Sequence, residues 1–418
     1  MTEKISQPFG NTQNDETLLA WSDVQGSILT GGGELAKRTI VGVDFEESEL
    51  PHYLLAHRKT WKQFAKWFEE NRRSFEIVGA WSRPIFAGGW NESSSYDTEA
   101  FNLQTPSIFI DMRIPVHRPT SLFQRRGALS HCSNHELRLL ARQHCFAGYS
   151  LPVYDNGNAP TSFVRHHIID WNYHPSFPRN RPNRWWVTTD ISVQRKKIGN
   201  DAFPSSFKEF SFARDQNGVP VYFERWSRRP TDSGGEKYLA MRRKAGCPIL
   251  AAKMGTTTKR DAVLVVVGNH FTLCVDRPQP QPILVGAPGP AGPAFVDYAL
   301  AIGDRAAAMD FLELEGSYGH IYSENVVQSG VLKPNWKIIR STHPWREGRE
   351  LFTSRDTLAL EWKEIPPSLW GPSITSHKHL SGITWGDDEW EVLECSFSEA
   401  ELDAIFPTKR FPSLTSKL

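Results

Sequence analysis

SIFIDMRIP, residues 107–115, alternates: Ile108, Ile110, Met112 and Ile114 fall on one side, Phe109, Asp111 and Arg113 on the other. A period of two is that of a β-strand with different surroundings on its two faces. One face is wholly apolar and the other carries an acid and a base. On a solvated sheet that second face is merely wet and the ion pair is worth little. Turned into a barrel, the pair needs partners and would orient a polar ligand.

Outward from this stretch the same grammar recurs. Short runs of β-branched and aromatic residues are punctuated by Gly, Pro, Asn and Asp, the pattern of antiparallel meanders and barrels. Strands are predicted at 77–82, 106–114, 163–173, 185–194, 208–213, 220–228, 262–267, 270–275, 295–302, 309–316, 336–342, 358–364 and 389–396. These are too many for one small barrel. The run AVLVVVG, 262–268, is the longest apolar one and reads as a buried strand. Helices are predicted at 51–73, where Leu54, Leu55, Trp61, Phe64, Trp67 and Phe68 share a face, and at 133–144, capped by Ser133 or Asn134. The Pro- and Gly-dense segment 279–293 reads as a surface excursion within a domain. Turn residues cluster at 230–236, PTDSGGE, and place a boundary there. The organisation is then a polar lead-in over 1–18, a helix and first barrel over 19–230, and a second barrel over 231–418.

Bulk properties exclude several classes. The chain has 418 residues with 48 Lys plus Arg against 47 Asp plus Glu, so no strong field attracts nucleic acid. No apolar run approaches the roughly 20 residues of a membrane helix. Five widely spaced cysteines without a CxxC fit a reducing compartment, and the polar amino terminus shows no signal peptide; a cytoplasmic location is expected. Fifteen Trp and 24 Phe suit sheet faces and pocket walls.

Three further stretches carry candidate chemistry. In RHHIIDWNYH, 165–174, strict alternation puts Arg165, His167, Ile169 and Trp171 on one side and His166, Ile168, Asp170 and Asn172 on the other. A histidine near an aspartate on one face is an oriented general base, because the carboxylate fixes the tautomer and raises basicity. A satisfied polar sheet edge is the plainer alternative. In VYFERWSRR, 221–229, Tyr222, Glu224, Trp226 and Arg228 share a face; a Glu beside an indole in a dry pocket becomes a usable acid, whereas on an outer face it is one half of a salt bridge. In RSTHPWREG, 340–348, Arg340 sits at a strand end and could line a pocket mouth or a surface turn. Metal readings fail on spacing: HCSNH, 131–135, lacks the Glu of HExxH, and His377 and His379 have no neighbouring carboxylate or thiol. Gly31 to Gly33 has no Walker or GxGxxG frame, and no GxSxG elbow is present. No cofactor is called for.

RPIFAGGWNES (83–93), QTPSIFIDMRIP (104–115), VYFERW (221–226), DAVLVVVGNHF (261–271) and SGITWGDDEWEVLE (381–394) together resemble, in order and spacing, the fungal Hri family of double β-barrel proteins. The resemblance spans roughly residues 80 to 396 with long insertions and includes no catalytic motif. It implies two lipocalin-like barrels side by side, and such barrels serve carriers and enzymes alike. The opening WSDVQGSILTGGG (21–33) also resembles the amino terminus of dye-decolourising haem peroxidases, but the GxxDG signature of those proteins is absent.

The sequence therefore predicts a mostly-β protein of antiparallel, lipocalin-like barrels with a few peripheral helices. The leading reading is an isomerase, cyclase or lyase working on a small apolar or aromatic metabolite. His167 would be base, Glu224 acid, Asp111 and Arg113 orienting groups, and Trp171, Trp226, Tyr222 and Arg340 substrate contacts. The other reading is a non-catalytic carrier or sensor of a hydrophobic ligand. Either leaves an oligomer open.

Overall fold

A computed structural model describes residues 77–88, 98–119, 122, 128–155, 159–171, 184–189, 206–210, 222–229, 248–254, 260–278, 281–287, 292–322, 333–353, 356, 358–365 and 377–407. The lead-in over 1–18, the helix predicted at 51–73 and the boundary at 230–236 lie outside the described residues.

Two antiparallel sheets make up the structure. The first comprises β1 (Gly79–Gly88), β2 (Thr98–Gln104), β3 (Ile108–Pro115), β4 (His144–Asp155), β5 (Ala159–Asp170), β6 (Arg184–Thr189), β7 (Ser206–Phe210) and β8 (Tyr222–Arg228). Each strand pairs with the next, and β8 pairs back onto β1, with Phe86 opposite Glu224. The ladders thus run full circle as a barrel. Its thinnest seam is β6–β7, joined by Thr188 opposite Phe210 and Thr189 opposite Glu209.

The second sheet holds β9 (Ile249–Met254), β10 (Ala262–Val267), β11 (His270–Val275), β12 (Glu315–His320), β13 (Lys337–Ser341), β14 (Leu358–Ile365), β15 (His377–Trp385) and β16 (Asp388–Cys395). Its order is β13-β12-β11-β10-β9-β16-β15-β14. The mostly-β, antiparallel expectation holds, but this sheet is open where a second barrel is expected. The physical reason lies at β13. Its free edge bonds to its own return segment: Ile338 N–H donates to Arg349 O and Gly348 N–H to Ile338 O, both at 2.8 Å, so β14 finds no ladder there.

Four α-helices, α1 (Asn134–Leu140), α2 (Gly292–Ala301), α3 (Arg305–Leu312) and α4 (Glu399–Ile405), and two 3-10 turns, Leu129–His131 and Pro344–Arg346, complete the described elements. The predicted cap of α1 is present as a capping box. Ser133 Oγ accepts from Glu136 N–H at 3.2 Å, and the Glu136 carboxylate accepts from Ser133 N–H at 2.7 Å. The strands predicted at 295–302 and 309–316 are corrected. Phe295, Val296, Ala299 and Leu300 are buried at a helical period in α2, and Asp304 caps α3 by accepting from Ala307 N–H at 3.0 Å. Only from Glu315 does the second segment become extended, as β12.

Between the sheets lies the main core. Ile108, Ile110, Met112 and Ile114 of β3 pack with Phe101 and Leu103 of β2, Val263, Val265 and Val267 of β10, and Phe295 and Phe311 of α2 and α3. The alternate residues of β10, Ala262, Leu264 and Val266, belong to a second core on the far face of the sheet with Leu402 and Ile405 of α4. That two-sided burial explains the uninterrupted apolar run of β10, each Val or Leu contributing about 1.5–3 kcal/mol. No helix among the described residues is long and apolar enough to cross a membrane.

Candidate functional site in the barrel interior

Because the apolar side of β3 is committed to the inter-sheet core, its other side faces the barrel interior. Cross-strand partners share a face. Asp111 lies opposite Asn102 and Phe146, Arg113 opposite Ala100 and His144, Phe109 opposite Gln104 and Gly148, and Glu209 opposite Glu224.

Six charged side chains meet there, all buried: Arg83, Asp111, Arg113, Arg165, Glu209 and Glu224. Arg113 grips Asp111 through two parallel bonds, Nε to Oδ1 and Nη2 to Oδ2, both 3.0 Å. The planar guanidinium fork matches the carboxylate and adds geometric specificity. Glu224 Oε1 accepts from Arg83 at 2.9 Å and from Arg113 at 3.3 Å. Arg165 is held more loosely. It lies over the Phe109 ring, 4.9 Å from the centroid, with Asp111 Oδ2 at 3.9 Å and Glu209 Oε2 at 3.8 Å. Four buried polar atoms of the cluster make no hydrogen bond among the described residues: Arg83 Nε, Arg165 Nε, Glu209 Oε2 and Glu224 Oε2.

The electrostatics separate the three carboxylates. Burial works to raise the Asp111 pKa, but the adjoining guanidinium of Arg113, with Arg165 and Arg83 behind it, holds it below the usual carboxylate value. Glu209 is pushed up to about 7 by burial, which outweighs Arg165, and the nearby Glu224 and Asp111 add to the rise. Burial lowers the Arg83 pKa against the pull of Glu224, whereas Arg113, equally buried, is raised because Asp111 and Glu224 both favour its charge.

His167 shares this interior face with Arg165, two residues before it, and a β-bulge follows. On β4–β5, Gly148 pairs with His167 and Ala147 with Ile169, which leaves Ile168 as the extra residue. Strict alternation, as read from the sequence, sends Asp170 away from His167; the bulge returns it to the same side, opposite Phe146. His167 Nδ1 donates to Asp170 Oδ2 at 3.1 Å, making Nε2 the basic nitrogen of the neutral ring. The imidazole sits between Phe109 and Phe146, at centroid distances of 5.6 and 5.2 Å, so Phe109 touches both Arg165 and His167.

Of the other predicted contacts, Trp226 lies in the barrel with Ile77, Trp81, Ala100 and Phe207. Trp171 does not: its indole donates to Ala141 O at 3.3 Å and packs on Phe311 in the inter-sheet core. It follows the bulge, one residue past the end of β5, and lies against Phe311 of α3. Arg340 is also outside, on the second sheet, paired with Glu99 Oε2 at 2.5 Å across the sheet junction. The side chain of Tyr222 lies outside the described residues, although its backbone is part of β8. The sequence alone assigns no role to Arg83, Arg165 or Glu209. The signal it does carry is alternation of an aromatic with a charge two residues on, as in Trp81/Arg83 and Phe207/Glu209, the same signal that marks Phe109/Asp111 and Glu224/Trp226.

No protein-family model matches the chain, and no curated protein sequence matches it. Among solved structures, it is similar to the uncharacterized protein YLR301w from Saccharomyces cerevisiae, at 14% identity and a TM-score of 0.38, over 76% of this chain and 98% of that one.

Proposed function

We propose that the barrel interior is an acid–base site for a small molecule bearing a carboxylate, carbonyl or similar acceptor group, and that the protein is an isomerase- or lyase-type enzyme. Arg165, buried yet without a hydrogen bond among the described residues, carries this reading. A buried guanidinium that lacks acceptors costs free energy, and an acceptor on a bound molecule offsets it. His167, oriented by Asp170, takes the role of base. The acid is Glu209, whose carboxyl holds its proton up to about pH 7, in place of Glu224, which two arginines clamp. Asp111 fixes Arg113, and Phe109, Phe146 and Trp226 supply apolar walls. The ligand is therefore a small apolar or aromatic molecule with one polar, acceptor-bearing end.

The test applies to an unidentified substrate. Purified protein is incubated in deuterated buffer, denatured, and the released small molecules are weighed by mass spectrometry. A co-purifying molecule that gains deuterium at carbon with wild type and not with His167→Ala, and that is lost from a folded Arg165→Met variant, supports the proposal. A molecule released without exchange favours the carrier. Absence of any co-purifying molecule, with no small-molecule library member raising the melting midpoint, rejects both.

A further inference from the structure

Cys145 on β4 and Cys274 on β11 come from different sheets and are separated by 129 positions, yet their sulfurs are 3.2 Å apart. Both are fully buried in the inter-sheet core. The approach is built into the backbone. Cys274 lies opposite Gly316 on β12, and a Cβ at Gly316 would stand 2.7 Å from Cys145 Sγ. Any side chain there would push Cys145 off its partner. The strand register of both sheets thus holds the sulfurs at a separation from which a small movement joins them.

Two buried thiols in contact can be simple packing, since a reduced cysteine behaves as a small hydrophobe. Mere packing, however, requires neither facing sulfurs nor a bare position at Gly316. We propose that Cys145 and Cys274 are an oxidation site that closes into an inter-sheet disulfide with a small hydroperoxide as oxidant. In the first step one thiol sulfur attacks a peroxide oxygen, the O–O bond breaks, and a sulfenic acid and one water (or alcohol) result. In the second, the other thiol sulfur attacks the sulfenic sulfur, the S–S bond forms and the hydroxyl leaves as water. Both sulfurs are oxidised, the peroxide is reduced, and the two thiol protons end in the products. Burial raises the Cys274 pKa well above the ordinary thiol value, which slows its attack on any oxidant, and the full burial of both sulfurs admits only a small neutral one. The bond would tie β4, which carries Phe146 of the barrel interior, to the second sheet.

The full-length protein is treated with hydrogen peroxide, denatured without reductant, alkylated and mapped by mass spectrometry. The expected result is loss of two alkylatable thiols and a peptide linking Cys145 to Cys274, with a melting midpoint raised in wild type and unchanged by peroxide in Cys145→Ala. Peptide mapping of the wild type alone decides the matter if that variant does not fold. Both cysteines still alkylated, or Cys145 joined to Cys132, Cys247 or Cys395, overturns the proposal.

Discussion

Asp111 is held by two bonds from Arg113 and by no apolar alternative, so its carboxylate exists to balance a buried cation. Removing it leaves Arg113 with its 3.3 Å bond to Glu224 and Arg165 with Glu209 at 3.8 Å, so that three buried guanidiniums face two carboxyls. Asp111→Ala is expected to destabilise the fold by about 3–5 kcal/mol, measured by urea unfolding, because an uncompensated buried charge costs far more than the pair contributes. Glu394 on β16 is the second residue with a readable electrostatic consequence. It accepts from Ser107 Oγ at the β2–β3 turn, and burial pushes its pKa up to about 7. A carboxyl whose folded pKa exceeds its unfolded value, near 4.5, stabilises fully below pH 4.5 and loses that contribution as pH rises through 7. Glu394→Gln should therefore flatten the pH dependence of stability between those limits and be more stable than wild type at pH 8, by up to about 3 kcal/mol. Thermal melts of both proteins across that range check the sign. Asp111, Arg113 and Glu224 stand out in the sequence by alternation with aromatics, and Phe207/Glu209 carries the same alternation; what no single strand encodes is the burial that sets Glu209 beside Arg165.

At the scale of elements, the extra residue Ile168 decides the His167–Asp170 pair. A bulge moves every later side chain to the other face, and nothing in RHHIIDWNYH distinguishes the bulged from the regular strand. Helices α2 and α3 are hidden for a related reason: FVDYALAI and MDFLELEG are short apolar runs in which periods of 2 and 3.6 both find matches. What settles α3 is its start, where Asp304 accepts from Ala307 N–H. Asp304→Ala is expected to cost about 1 kcal/mol, and hydrogen exchange should show the loss concentrated in 305–312. An even spread over both sheets would refute the assignment of that cap. By contrast, α1 is legible because Ser133 and Glu136 form a local signal that needs no distant partner.

For the whole molecule, the shared core governs behaviour. Residues of β2, β3 and β4 pack in one cluster with β9, β10 and β11 and with three helices, and Arg277 donates to Phe311 O, Asp170 O and Trp171 O across the same junction. Neither sheet can part from the other without exposing its inner apolar face to water. The two are expected to unfold together, with barrel and open-sheet tryptophan or exchange probes giving coincident denaturant midpoints; separate transitions would show that the cluster is weaker than its burial implies. The amino-acid order alone determined the antiparallel, mostly-β character, the burial of β10 as a strand and the shared face of Asp111 and Arg113, because periodicity and turn chemistry act over a few neighbours. Tertiary structure alone decided that one sheet circles into a barrel while the other stays open, that Trp171 and Arg340 leave the site, and that Arg83, Arg165 and Glu209 enter it. These outcomes depend on which strand edges find partners and which faces meet across more than a hundred residues, and no local pattern holds that information.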